Sequence, residues 1–145
     1  CAFAPAAVTG SSPYSSAGAT SIWNPANPDL SVDYIYLGLA FNSAVVMCFN
    51  ETDNYDTAGG YIPYSDADNM TSKGGHCVHI VGFVGNSDLA ANPNTAAQPP
   101  GSGGGYFIIK NSWGQGHGDA GYFYMPVDYV KANATSAYTV STVNH

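Results

Sequence analysis

The sequence predicts an α+β chain: a mainly antiparallel β barrel or half-barrel with one short helix and a loop-like amino-terminal arm. Three observations carry this. Several short runs rich in β-branched and aromatic residues are bounded by Gly, Asn and Pro, which is strand punctuation. Some of those runs are apolar at both alternating positions, as strands covered on both faces are. One segment before them carries apolar residues at helical spacing. At 145 residues the chain can enclose one core, so 1–145 reads as a single domain with 1–28 as an extended arm.

The elements follow in order. Residues 1–28 hold four Pro and many small residues without helical or strand period, which predicts an arm laid against something else. The segment 29–41, "DLSVDYIYLGLAF", offers Asp29 or Ser31 as cap and Val32, Ile35, Tyr36 and Leu39 as an apolar face, with Gly38 weakening the helix. "AVVMCF", 44–49, reads as a buried strand, followed by a polar, Gly-rich excursion over 50–75. "HCVHIVGF", 76–83, is apolar on both alternating faces and predicts a strand buried on two sides. Asn, Pro and Gly over 84–104 predict a long surface loop. "YFIIKN" (106–111), "GYFYM" (121–125) and "AYTVSTV" (137–143) complete the ladder.

Composition excludes several classes of function. Charged residues make up 9% of the chain, against about 25% in typical proteins. There is no Arg, and Lys73, Lys110 and Lys131 stand against ten acids. Nothing here can neutralise a run of phosphates, so no nucleic-acid partner is expected. No stretch approaches the ~18 apolar residues of a membrane span, so no membrane insertion is expected. No charged start with an apolar core marks a signal peptide, and a chain beginning at Cys1 reads as a processed product or a fragment. Asn50, Asn69 and Asn133 each begin an N-x-Thr sequon, which points to a glycoprotein that is secreted, extracellular or vacuolar-lysosomal.

No cofactor and no metal are expected. No His/Cys spacing resembles a zinc site, and Asp53, Asp66 and Asp68 do not follow the spacing of a calcium-binding loop. The three cysteines Cys1, Cys48 and Cys77 leave at least one thiol unpaired within the chain. Cys77 reads as a small buried hydrophobe, with pairing to Cys48 open if their strands are adjacent.

One juxtaposition carries chemistry. If 76–83 and 106–111 pair as antiparallel neighbours across the long loop, the first residue of one lies beside the last of the other, and His76 meets Asn111. Alternation agrees: His76, Val78 and Ile80 share one face, Phe107, Ile109 and Asn111 another, and Lys110 points away. The amide oxygen can then fix the imidazole's tautomer and rotation, leaving its other nitrogen for a nucleophile or substrate. Trp113 is placed to cover that hydrogen bond. His79 lies on the face opposite His76 and reads as exposed or structural.

The segments "GGHCVHIVGF" and "GGYFIIKNSWGQGHGDAGYFYM" resemble the carboxy-terminal half of papain-like cysteine peptidases. Matching segments of that family read close to GHAV-x-x-VGY and Y-x-x-x-KNSWG-x-x-WG-x-x-GY. The stretch "DLSVDYIYLGLAFNSAVVMCF" is similar to the helix and strand preceding the histidine there, and "SSPYSS" faintly echoes its Tyr-Pro-Tyr turn. The resemblance implies the right-hand, barrel lobe of the fold. It implies His76 as catalytic base, Asn111 as its orienting partner, Trp113 as their shield, and Val46 and Cys77 as lining of the pocket for the substrate side chain next to the scissile residue.

Departures from the family pattern limit what it implies. The family nucleophile stands in C-G-[SA]-C-[WY], about 130–150 residues before the His and Asn, and these residues contain no such motif and no upstream oxyanion Gln. Cys1 is too close to His76 for a helical lobe to intervene, and His117 stands where the family has a second Trp. The expectation is therefore the carboxy-terminal part of a papain-like cysteine endopeptidase, inactive alone, with the nucleophile on a missing or separate chain. The expected partners are that amino-terminal lobe or copies of itself, and a peptide substrate. The alternative is a catalytically inactive papain-like domain that serves as a secreted structural or assembly subunit.

Overall fold

A computed structural model describes residues 15–16, 18–55, 59–64, 72–92, 94–140 and 143–144. The elements in chain order are β1 (Ser15–Ser16), β2 (Ala19–Ser21), α1 (Pro28–Ala40), β3 (Ala44–Thr52), β4 (Ser72–Gly85), α2 (Asn86–Ala91), β5 (Gly105–Lys110), β6 (Tyr122–Pro126), α3 (Val127–Asn133), β7 (Ala134–Val140) and β8 (Val143–Asn144). Six strands form one antiparallel sheet in the order β2-β7-β3-β4-β5-β6, and β1 pairs with β8. The α+β class and the antiparallel sheet are as the sequence predicts. The strand order is open, so the sheet does not close strand to strand.

One face of the sheet carries the core. Val45, Met47 and Phe49 of β3, Phe107 and Ile109 of β5, and Phe123 and Met125 of β6 are fully buried, and Val78 and Ile80 of β4 nearly so. Strand alternation puts these residues on one side, and each such burial contributes roughly 1.5–3 kcal/mol. Val32 and Ile35 of α1 and Val127 and Val130 of α3 cover them.

The other face is open. Val46, His79 and Tyr138, paired across β3, β4 and β7, are exposed there among the described residues, so the prediction that 76–83 is buried on two sides is corrected. An uninterrupted apolar run does not by itself distinguish a strand covered twice from one covered once.

The predicted helix over 29–41 is present as α1, but neither Asp29 nor Ser31 caps it. Asn27 does, its side-chain oxygen accepting from the Leu30 backbone at 3.2 Å, with Pro28 at the first helical position where a missing N–H costs nothing. Ser31 is buried instead, its hydroxyl donating to the Asn27 carbonyl at 3.0 Å. Gly38 is a packing device. A Cβ there would lie 3.0 Å from Thr139 Cγ2 and 3.1 Å from Val45 Cγ2, so glycine lets the helix approach the sheet.

Three irregular segments carry structure that composition does not announce. The arm contributes β2, an edge strand on β7, within residues read as loop. The loop 84–104 contains α2, and its base is clipped by Asn86, which donates to the Gly101 carbonyl at 3.0 Å and accepts from the Gly101 N–H at 2.7 Å. α3 lies between β6 and β7, over residues to which the sequence reading gave no element. Its Tyr129 hydroxyl serves a β bulge. Register between β3 and β4 shifts at Glu51/Thr52, and the Thr52 N–H donates to Tyr129 at 3.2 Å, with the Thr52 hydroxyl 3.0 Å from the same oxygen.

Candidate active site

His76 sits on β4 opposite Phe49 of β3, and Asn111 follows directly after β5. Hydrogen-bond register between β4 and β5 runs from Gly85↔Gly105 to His79↔Lys110, with a shift between Ile80 and Gly82. His76 thus lies beyond the paired stretch. The simple first-to-last pairing expected from sequence is therefore not the register formed. The side chains meet nonetheless: His76 Nε2 and Asn111 Oδ1 are 2.9 Å apart.

The loop after Asn111 fixes the amide. The Asn111 N–H donates to the Gly121 carbonyl at 3.0 Å, and Gly121, at φ +93°, donates back to the His117 carbonyl at 2.8 Å. Asp119 and Tyr122 exchange backbone bonds of 2.9 Å, and the Tyr124 hydroxyl donates to Asp119 Oδ2 at 2.8 Å. Burial and the Asp119 hydrogen bond both push the Tyr124 phenol well above its ordinary range. Asn111 Oδ1 also accepts from the Ser112 N–H at 2.8 Å. With two donors aimed at it, that atom is the oxygen, and His76 Nε2 must carry a proton toward it. Nδ1 is the nitrogen left over, and it has no hydrogen-bond partner among the described residues.

Aromatic rings enclose the pair. Trp113 stacks on the imidazole with centroids 5.1 Å apart and planes at 28°, while Phe49 and Tyr55 each approach it edgewise at 5.8 Å. Tyr55 is fully buried and stacks on Phe123 at 5.1 Å, which ties this wall to the core. A hydrogen bond shielded from water in this way is electrostatically stronger than an exposed one. His117 is exposed and its ring lies 5.6 Å from Trp113, so an imidazole stands beside the indole where a second indole was expected from the family pattern. The Asn111 Nδ2 is buried with no hydrogen-bond partner among the described residues.

Val46 and Cys77 line one cavity of about 860 Å³ on the open face of the sheet, together with Cys48, Ser136, Tyr138 and Asn111. For Cys77 the buried-hydrophobe reading is corrected and the pairing with Cys48, left open by the sequence, is the one formed. Cys77 is half-buried and disulfide-bonded to Cys48, because the two occupy directly opposed positions of β3 and β4 with Cα atoms 4.0 Å apart. His79 is exposed, as expected from alternation.

The glycosylation sequons divide. Asn50 is exposed, but Asn133 is buried and its Nδ2 donates to the Tyr129 carbonyl at 3.1 Å. A glycan at Asn133 would require that bond broken and the side chain expelled, so this position is withdrawn as an acceptor. The sequon pattern records neither burial nor the helix end that causes it. Asn69, Cys1, Asp66 and Asp68 lie outside the described residues. Asp53 pairs with Lys73 at 3.2 Å in solvent, and among the described residues no three His, Cys, Asp or Glu converge on a point that could hold a metal.

Sequence reasoning missed Phe49 and Tyr55. Alternation placed Phe49 on the core face of β3, which is the face His76 shares across the sheet. Tyr55 carried no strand or helix signal within its polar surroundings.

Comparisons with known proteins agree with this geometry. The model of the papain family of cysteine proteases matches residues 26–142. Cysteine proteinase 3 of Entamoeba histolytica is 38% identical over 65 residues, which cover 45% of this chain and 16% of that protein. Among solved structures, xylellain, a cysteine protease from Xylella fastidiosa, superposes with a TM-score of 0.56 at 27% identity, over 77% of this chain and 37% of that one. Digestive procathepsin L 3 of the Tenebrio molitor larval midgut shares the fold, with a TM-score of 0.54 at 18% identity over 88% of this chain and 36% of that one. The chain thus spans well under half the length of these relatives. With the family model matching most of its residues, the chain belongs to the papain family of cysteine proteases.

Proposed function

We propose that this chain is the carboxy-terminal part of a papain-like cysteine endopeptidase, supplying the base His76 and the orienting Asn111 to a nucleophilic thiol that other sequence provides. The observation that carries the reading is the 2.9 Å hydrogen bond from His76 Nε2 to Asn111 under the Trp113 ring, which leaves Nδ1 free.

The chemistry follows from that arrangement. A thiol brought to Nδ1 gives up its proton, and the resulting thiolate attacks the scissile carbonyl. His76 then returns the proton to the leaving amine, and in the second half-reaction Nδ1 takes a proton from the water that cleaves the thioester. Asn111 holds the ring through both steps. The cavity lined by Val46 and Cys77 receives the side chain next to the scissile residue. Its apolar walls favour an apolar side chain there. Without the thiol the chain alone does not hydrolyse peptides.

The exposed sequon at Asn50 supports a secreted or vacuolar-lysosomal location, and a loss of mass on treatment with an N-glycosidase tests it. The peptidase reading is tested on native material by denaturing mass spectrometry, with and without reductant, alongside a peptide-hydrolysis assay. The expected result is hydrolysis by material in which a C-G-x-C-W motif accompanies these residues, in the same or a second polypeptide. Native material holding only the 15.0 kDa chain and its own multimers, without hydrolysis, would sink it in favour of an inert assembly subunit.

A further inference from the structure

We propose that the Cys48–Cys77 disulfide is a positioning element for His76, and that opening it slackens the His76–Asn111 hydrogen bond. The proposal rests on the reading of His76 as the base.

The His76 ring is enclosed by aromatic rings, but its backbone has few ties. Before it in β4 come Gly74, at φ +139°, and Gly75, and a Cβ at either position would meet nothing within 4 Å. The side-chain tie nearest that end of the strand is the solvent-exposed Lys73–Asp53 pair at 3.2 Å, which holds the strand weakly. Toward β5, register ends at His79↔Lys110, so the backbone of His76 has no partner there. Among the described residues its strand partner is β3, through Phe49↔His76. Yet β3 loses register with β7 between Cys48 and Phe49, and with β4 between Glu51 and Thr52.

The disulfide joins the next pair along, Cys48↔Cys77, beside the first of those irregularities. A slip of one residue would turn the imidazole to the opposite face of the sheet. A covalent bond one residue from His76 forbids that slip between β3 and β4, beside the point where β3 loses register with β7. Both cysteines are half-buried and line the open cavity, so a small thiol reaches them. Reduction by dithiothreitol breaks the S–S bond with two electrons and two protons, giving two thiols and cyclic oxidised dithiothreitol. A thiol-rich medium that keeps the nucleophile reduced thus also acts on the base.

The test reads the imidazole by NMR in the unmodified chain and in the double variant Cys48→Ala/Cys77→Ala, near neutral pH. The expected result in the variant is solvent exchange of the His76 Nε2 proton at least about tenfold faster, the signature of local opening. The imidazole nitrogen shifts should move toward a mixture of tautomers, while amide protection at Ile109 and Phe123 stays unchanged. If the variant does not fold, the same spectra are taken on the unmodified chain after dithiothreitol. Unchanged His76 signals with the bond open would overturn the proposal. So would loss of protection at Ile109 and Phe123 in step with His76, or unfolding of both samples, since either makes the disulfide a general stabiliser. No hydrolysis is measured, so a failure of the peptidase reading would be seen separately.

Discussion

The Trp113 indole lies over the His76 imidazole, centroids 5.1 Å apart, and the Tyr55 ring meets the indole edgewise at 5.5 Å. The indole therefore joins the imidazole to the core. Trp113→Ala should remove about 1–3 kcal/mol of stability, the scale for a half-buried aromatic ring with ring partners. Urea denaturation measures it. A larger effect on turnover than on stability is expected in the assembled enzyme, because water then reaches the hydrogen bond.

Tyr129 secures the bulge from which the chain turns toward Tyr55. Tyr129→Phe leaves the buried Thr52 N–H and hydroxyl without the oxygen they share, and should cost about 1–3 kcal/mol. The same denaturation assay, with the urea dependence unchanged, checks it. No loss would mean that Thr52 finds another partner.

Gly38 should not tolerate a side chain. Gly38→Val drives methyl groups into Thr139 and Val45, already 3.0 and 3.1 Å from a Cβ position, and should destabilise by roughly 1–3 kcal/mol despite removing a helix glycine. A variant as stable as the parent would show that α1 can lift from the sheet.

Stability should fall on the alkaline side. Burial pushes the phenols of Tyr36, Tyr61, Tyr106, Tyr124 and Tyr129 above their ordinary value of 10.0. Above that pH the unfolded chain loses protons that the folded chain keeps, so the slope of unfolding free energy with pH is negative. The stabilisation is complete below pH 10 and is lost as pH rises through the folded values. Thermal melts from about one unit below that value to about one unit above it should show the midpoint begin to drop near it. A flat midpoint would contradict the burial of these rings.

Much of the site was legible in the sequence because it depends on local signals. Alternation in 76–83 and 106–111 put His76 and Asn111 at the same end of neighbouring strands. The features that were not legible depend on what lies across the sheet. Cys48 and Cys77 face each other only because β3 and β4 pair in that register, which neither strand's own pattern reveals. Asn27 outcompeted Asp29 and Ser31 as cap because Pro28 fits the first helical position. Asn133 matches a sequon, yet the packing of α3 buries it. Tyr55 reaches His76 through a bulge that carries no compositional mark.

The central claim is that Asn111 orients His76 for proton transfer, and turnover of a peptide substrate by the assembled protein carrying Asn111→Ala tests it most directly. Misplacement of the imidazole should lower turnover by up to about 10²-fold, with the melting temperature little changed. Turnover equal to that of the parent protein, in a variant that folds, would contradict it.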